Sequence, residues 1–294
     1  MRIRWIATLG LLAPLITGEA IAQDNVAEIV RRARGKIGVA CSLPDSKLDC
    51  NVNAYAHLPM QSVYKLPIAM AALNGVEQGK LSFARPVRFL PSDNISTLQY
   101  APLRDKYPSA NVDVPLEELL RLAVAESDGI ASDILIRALG GPDAVNRYVH
   151  GLGITGIEIR DTEKSMAAEH PLQYRNYAEP AAMVKLLRRL SDNSPLSPEN
   201  TQRLLTLMTE SGTGPHRLKE MLPAGTPVAH KTGTSYTERG ITAATNDVGL
   251  ITLPDGRKLA IAVFVSDSPD SESVREGLIA RIAATAYRQA TLPR

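Results

Sequence analysis

Apolar and polar positions along this chain fall into three regimes. Near the N-terminus, Lys36–Cys41 and Cys50–Tyr55 flank the turn-rich Leu43-Pro-Asp-Ser-Lys-Leu-Asp49, and the pattern predicts a β-hairpin. In the middle, apolar spacing predicts a helix from Ser62 through Leu73, with Pro67 adjusting its early turns. Arg85–Ala110 is Pro-rich and irregular. Two helices follow, Leu116–Ala125 and Ile130–Leu139, interrupted at Glu126-Ser-Asp-Gly129 and stopped by Gly140-Gly141. Asp143–Leu152 predicts a short helix, Arg160–Ala178 a long polar loop, and Pro180–Leu190 another helix. Pro198–Thr209 starts a further helix behind the cap-like Ser197. In the last third, Val228–Ser235, Thr242–Leu253 and Lys258–Val265 are strand-like, with Pro254-Asp-Gly256 as a hairpin turn. Ser271–Tyr287 closes the chain as an amphipathic helix.

Strands at both ends enclosing a helical middle predict an α/β plus all-α protein. Its mainly antiparallel sheet is assembled from the two termini and flanked by helices, with an inserted helical domain. The expected division is a sheet domain over 23–58 and 218–294 and an all-helical domain over 59–217, with an active-site loop near 160–178. The site is expected in the cleft between them.

The first 22 residues add an address. Met-Arg-Ile-Arg, an apolar run from Trp5 to Ile16 and the small-residue end Ala20-Ile-Ala22 together predict a cleavable secretory signal. The run is shorter than the roughly 20 residues a membrane span needs. The expected product starts at Gln23 and is exported, with no membrane association after cleavage. In an oxidising compartment Cys41 and Cys50 are either a disulfide across the predicted hairpin or two small core residues.

Composition narrows the partners. With 44% hydrophobic and 22% charged residues in 294, the chain can bury ordinary cores. A net charge of +2 without a basic block leaves no footprint for nucleic acid. No metal-ligand spacing is present, and none of the five histidines completes a Ser-His-Asp arrangement.

Three motifs carry candidate chemistry. Ser62-Val-Tyr-Lys65 is an S-x-x-K, which chance alone supplies about 0.65 times in this composition. Position raises its value. At a helix start the Lys65 amine shares a face with the Ser62 hydroxyl, and the unpaired first-turn N–H groups can aim at an oxyanion. S-D-[NG] occurs three times. Ser92-Asp-Asn94 and Ser191-Asp-Asn193 sit where Asp and Asn make turns and caps, whereas Ser127-Asp-Gly129 breaks two apolar helices and so points to function or capping. Lys231-Thr-Gly233 is the most specific, with a chance expectation of about 0.04. Gly233 allows close approach to a strand edge, and Lys231, Thr232, Thr234 and Ser235 offer donors to a carboxylate. An ordinary exposed edge strand is the alternative.

The order S-x-x-K, S-D-x, K-T-G resembles the motif set of class A serine β-lactamases and penicillin-binding proteins. The resemblance spans essentially the whole predicted mature chain, including Met60-Gln-Ser62 and Thr245-Asn-Asp-Val-Gly249. Ala229-His-Lys-Thr-Gly-Thr-Ser235 and Gln173-Tyr-Arg-Asn176 are similar to the branch that contains several extended-spectrum enzymes. It implies a β-lactamase/transpeptidase-like fold, a monomer without a cofactor, a periplasmic location and a small β-lactam substrate. The expected function is hydrolysis of penicillins and cephalosporins through an acyl-enzyme on Ser62.

The resemblance also implies roles. Ser62 is the nucleophile, activated by Lys65, by Glu163 through water, or by both. Ser127 and Lys231 serve the departing lactam nitrogen. Glu163, in Asp161-Thr-Glu-Lys-Ser-Met166, is the base for deacylation by its spacing from Ser127 and Lys231, with Glu158, Glu169 and Glu179 as competing carboxylates. Thr232, Thr234 and Lys231 are expected to hold the substrate carboxylate. Arg217, in Thr213-Gly-Pro-His-Arg217, either assists them or is a surface residue, and Tyr100 either lines the cleft mouth or packs in the core.

Three departures stand out. Gly129 replaces the Asn usual in the second motif, and Ala167 stands where the family commonly has a polar residue steadying water. Asp161 and Asn176 replace an Arg-Asp pair that pins the loop in many members, so the loop is expected to be held differently, through Asp133. The rivals are a D,D-peptidase, which would retain its adduct, and a non-hydrolytic penicillin-sensing domain.

Overall fold

The computed structural model describes residues 25–97 and 99–292, so the predicted signal over 1–22 lies outside the described residues. The chain begins with α1 (Val26–Arg31), capped by Asn25, and β1 (Lys36–Ser42). A short β2 (Leu58–Pro59) leads into a 3-10 turn, Gln61–Tyr64, and α2 (Lys65–Glu77). Next come β3 (Val87–Phe89), α3 (Pro102–Lys106), β4 (Val112–Val114), α4 (Leu116–Val124), α5 (Gly129–Leu139) and α6 (Pro142–Gly151). After β5 (Ile157–Glu158) the polar loop contains α7 (Glu163–Ala168) and β6 (Tyr177–Ala178) and is followed by α8 (Pro180–Asp192) and α9 (Pro198–Thr209). The chain closes with β7 (Val228–Thr234), β8 (Thr237–Glu238), β9 (Ile241–Thr252), β10 (Lys258–Ser268) and α10 (Glu272–Thr291).

The main sheet is antiparallel in the order β1-β10-β9-β7, with β8 pairing β9, so its strands do come from both ends of the chain. Along β10 the side chains alternate between two cores. Ile261, Val263 and Val265 pack with α1 and α10, whereas Ala260, Ala262 and Phe264 join the core of the helical part. Burial on both faces explains why β10 reads as a near-continuous apolar run. The helical core is built round α2, whose residues Lys65 to Leu73 are all buried, so its sequence is apolar on every side. Pro67 is tolerated because the first-turn N–H groups have no helical partner.

Two expectations need correction. The middle of the chain is not all helical, since β2–β6 are short strands of two or three residues that pair where loop ends meet. The predicted hairpin is also absent, because the only β-bridge between Cys50–Tyr55 and β1 among the described residues is Val39↔Val52. Side chains take the place of a ladder there: Asn51 Oδ1 accepts the Cys41 N–H at 3.1 Å, and Asn53 Nδ2 donates to the Ile37 carbonyl at 2.8 Å. Cys41 and Cys50 are nevertheless joined as a disulfide, with Cα atoms 6.0 Å apart.

Candidate active site

The cleft lies where the 3-10 turn before α2, the turn before α5, the loop carrying α7 and the edge of β7 converge, and it encloses about 620 Å³. Gly233 makes that convergence possible. A Cβ there would lie 2.3 Å from the Met60 carbonyl oxygen and 3.2 Å from the Val63 nitrogen, so only glycine lets the Ser62 turn rest on β7. From β9, Asn246 Nδ2 holds the same turn by donating to the carbonyls of Pro59 (2.8 Å) and Met60 (3.1 Å). Two non-glycine residues at the cleft, Gln61 (φ +46°) and Ser127 (φ +63°), occupy left-handed backbone, which costs on the order of 1 kcal/mol each.

Lys65 is the hub. Its buried Nζ lies 2.8 Å from Ser62 Oγ, 2.7 Å from the Ser127 carbonyl oxygen and 2.9 Å from Glu163 Oε1. Lys231, also buried, donates to Ser127 Oγ at 2.9 Å and to the Thr232 carbonyl at 3.0 Å. Burial and the neighbouring Lys65 charge push the Lys231 amine well below its ordinary range, against the pull of Asp247 and Glu163. The two lysines and two serines thus form one connected set.

The capping of α5 explains where Ser127 sits. Asp128, fully buried, caps that helix by accepting the Ala131 N–H at 2.7 Å, and it accepts the Leu103 N–H at 2.6 Å. Burial raises its carboxyl above the usual range. Capping and presentation of Ser127 are therefore one device.

The model of the β-lactamase enzyme family matches residues 21–290. The chain belongs to that family. It is 39% identical to the extended-spectrum β-lactamase PER-1 of Pseudomonas aeruginosa, over 91% of this chain and 87% of that one. The solved TLA-1 extended-spectrum β-lactamase superposes with a TM-score of 0.87 at 40% identity, covering 91% and 97% of the two chains. A reconstructed last common ancestor of the Gram-negative class A enzymes superposes at 0.78 with 29% identity, covering 88% and 95%. This is a class A serine β-lactamase of the extended-spectrum branch, with a β-lactamase fold and β-lactam hydrolysis as its activity.

The β-lactamase holds its active-site loop through contacts of its own. Asp133, on α5, accepts the N–H groups of Glu163 (2.8 Å) and Lys164 (2.9 Å), and Thr162 caps α7 locally. At the loop neck Asn176 Oδ1 accepts from Arg160 (2.8 Å) and Asp161 (2.9 Å), while its Nδ2 donates to the Asp161 carbonyl at 2.8 Å. Asp161 pairs with Arg175 at 3.2 Å. Gln61 donates to Gln173 at 2.6 Å, and His170 pairs with Glu238 at 3.1 Å, tying the loop to the turn and to β8.

Other expected site residues are placed as follows. Tyr100 lines the cleft and is 64% exposed, which excludes the packed-core alternative. Thr232 Oγ1 is 2.7 Å from Thr213 Oγ1. Ser235 lines the cleft, and its Oγ accepts the Ala244 N–H at 2.9 Å. Ala167 presents a methyl group to the wall. Glu158 and Glu179 are engaged elsewhere, with Asn146 (3.2 Å) and with His57 (3.4 Å).

Arg217 is not a surface residue. It is buried, with Nε on Glu276 (3.0 Å) and Nη1 on the Asn246 carbonyl (3.0 Å), and Nη2 reaches Thr234 Oγ1 at 2.8 Å. Its charge therefore backs the cleft wall beside Thr234. Gly129 starts α5 with no side chain to offer, and a Cβ there would meet Ile95 Cδ1 at 2.9 Å and Glu163 Cγ at 3.2 Å. Glu163 and Ile95 fill that space instead.

Sequence reasoning missed Tyr236, a second tyrosine on the cleft, 66% exposed. It named the segment containing Asn246 without its role; an Asn-Asp pair in the middle of a buried strand was the available signal.

Proposed function

We propose that this β-lactamase works through an acyl-enzyme on Ser62, cleared by water activated at Glu163. The observation that carries this is the single Lys65 Nζ in simultaneous contact with Ser62 Oγ and Glu163 Oε1. That contact supports a nucleophile and a carboxylate base sharing one proton carrier, which a clearing enzyme needs and a retained adduct does not.

In the first half-reaction Ser62 Oγ bonds to the lactam carbonyl carbon, and its proton passes into the Lys65–Glu163 pair. The oxyanion is assigned to the N–H groups of Ser62 and Thr234; Ser62 stands at a helix start, where the earliest N–H groups have no acceptor within the helix. As the ring C–N bond breaks, the Ser127 hydroxyl gives its proton to the nitrogen, with the Lys231 contact orienting it, and regains one from the Lys65–Glu163 pair, which thereby returns to its starting state. In the second half Glu163 takes a proton from water, the hydroxyl attacks the ester carbon, and Ser62 Oγ leaves with a proton. Thr232, Thr234 and Ser235, backed by Arg217, receive the substrate carboxylate, and Tyr100 receives its side chain at the mouth. The same proposal has the protein exported by residues 1–22 to the periplasm and acting as a monomer.

The test is to mix the purified mature protein with a chromogenic cephalosporin in EDTA while following intact mass. Many turnovers with a transient adduct support the proposal. One stoichiometric burst with a lasting adduct on Ser62 would make the protein a penicillin-binding protein or sensor.

A further inference from the structure

The face of β7 turned away from the helical core carries a buried charge cluster that the mechanism above leaves unused. Strand alternation puts His230 and Thr232 on that face and Lys231 on the other. His230 and Asp247 are fully buried, and His230 Nδ1 lies 2.9 Å from each Asp247 oxygen. Gly249, opposite His230, leaves room for the ring: a Cβ there would lie 2.5 Å from the Ala229 carbonyl and 2.8 Å from His230 Cβ. Leu218 N–H also donates to Asp247, at 3.2 Å.

His230 Nε2 has no partner among the described residues. A doubly protonated ring would bury an N–H without an acceptor, so the geometry fits the neutral ring with its proton on Nδ1. The donors on Asp247 are then neutral, and its negative charge is left uncancelled by contact.

Asp247 lies opposite Thr232 in the β7–β9 register, one residue along the strand from Lys231, so its charge sits close behind the Lys231 backbone. Of the groups around it, Lys65 and Arg217 repel the ammonium, while Asp247 and Glu163 attract it, Asp247 more strongly. Glu163 is already in contact with Lys65, and Arg217 with Glu276 on α10. Half-buried Lys219, bonded to the Ser211 carbonyl at 3.0 Å, also feels Asp247, and Arg275 on α10 is engaged with Thr245 at 2.8 Å.

We propose that His230 and Asp247 are a positioning pair for Lys231. The imidazole holds the Asp247 carboxylate behind β7, and that charge, acting through the sheet, keeps the Lys231 ammonium in place as the donor to Ser127 Oγ. The inference rests on the assignment of Lys231 and Ser127 made above.

The test uses the whole mature enzyme with [ε-13C]lysine, the Lys231 signal being assigned by its loss in Lys231→Arg. In a folded Asp247→Asn, the midpoint for Lys231 falls by about one pH unit or more. The basic limb of kcat/KM moves down with it. His230→Gln keeps a donor to Asp247 and holds the wild-type midpoint, whereas His230→Leu shifts it as Asp247→Asn does. A folded Asp247→Asn with the wild-type Lys231 midpoint overturns the proposal, and if that variant does not fold, a wild-type midpoint in His230→Leu does so. The midpoint is read without turnover, so failure of the acyl-enzyme mechanism, seen as a wild type that clears no β-lactam, is separately visible.

Discussion

The carboxylate of Asp133 on α5 accepts the backbone N–H of Glu163, the first residue of α7, at 2.8 Å, and that of Lys164 at 2.9 Å. A helix start normally leaves such N–H groups without partners, and here a different helix supplies the acceptor. The loop is thereby fastened at Glu163, the proposed base.

Asp133 gives the first prediction. Burial, and then the charge of Glu163, push its carboxyl up to about 7. The folded state therefore binds this proton more tightly than the unfolded chain, so its contribution to stability is complete below about pH 4 and is lost as pH rises to about 7. Asp133→Asn removes the titration. In equilibrium denaturation, the stability advantage of wild type over Asp133→Asn shrinks between about pH 4 and 7; a constant or widening gap would contradict the assignment.

Glu163→Gln keeps the size of the side chain but removes the base. Acylation proceeds and deacylation slows by about 10²–10⁴-fold. Intact mass after mixing with a cephalosporin shows a persistent adduct on Ser62, whereas full turnover by this variant would remove Glu163 from the mechanism.

Gly129→Ala forces a methyl group against Ile95 Cδ1 and Glu163 Cγ. Overpacking of this kind costs about 1–3 kcal/mol. Adding Ile95→Val deletes the closer of the two contacts and restores stability, while turnover stays depressed because Glu163 is still displaced. Thermal melts and steady-state rates of the single and double variants separate the two effects, and full recovery of turnover in the double variant would rule out the Glu163 contact as the cause.

The Cys41–Cys50 disulfide closes a short loop, with a sequence separation of 9. Chain entropy assigns such a loop about 2–3 kcal/mol, equivalent to about 4–6 °C in Tm for a chain of this size. Replacing both cysteines with serine lowers Tm by that amount and leaves turnover at 25 °C unchanged, because neither residue lines the cleft. A Tm indifferent to the double replacement would remove the bridge from the account.

What the sequence determined by itself is the chemistry that neighbours along the chain can settle. Ser62 and Lys65 share a helix face, Ser197 caps α9 by accepting from Asn200 at 3.3 Å, and Gly140 ends α5 in left-handed backbone. These are contacts over three or four residues, governed by backbone periodicity and orphaned N–H groups, so motif and spacing reveal them. The resemblance to class A β-lactamases added Glu163, which local pattern alone could not separate from other loop carboxylates. Tertiary structure decided the remainder. It brought Asn246 to the Ser62 turn and His230 to Asp247, and it turned Arg217 inward onto Glu276. It also replaced the second strand of a predicted hairpin with asparagine side chains. Such partners lie far apart along the chain, and what makes each polar group find the other is the cost of leaving it unpaired once the two cores have closed around it.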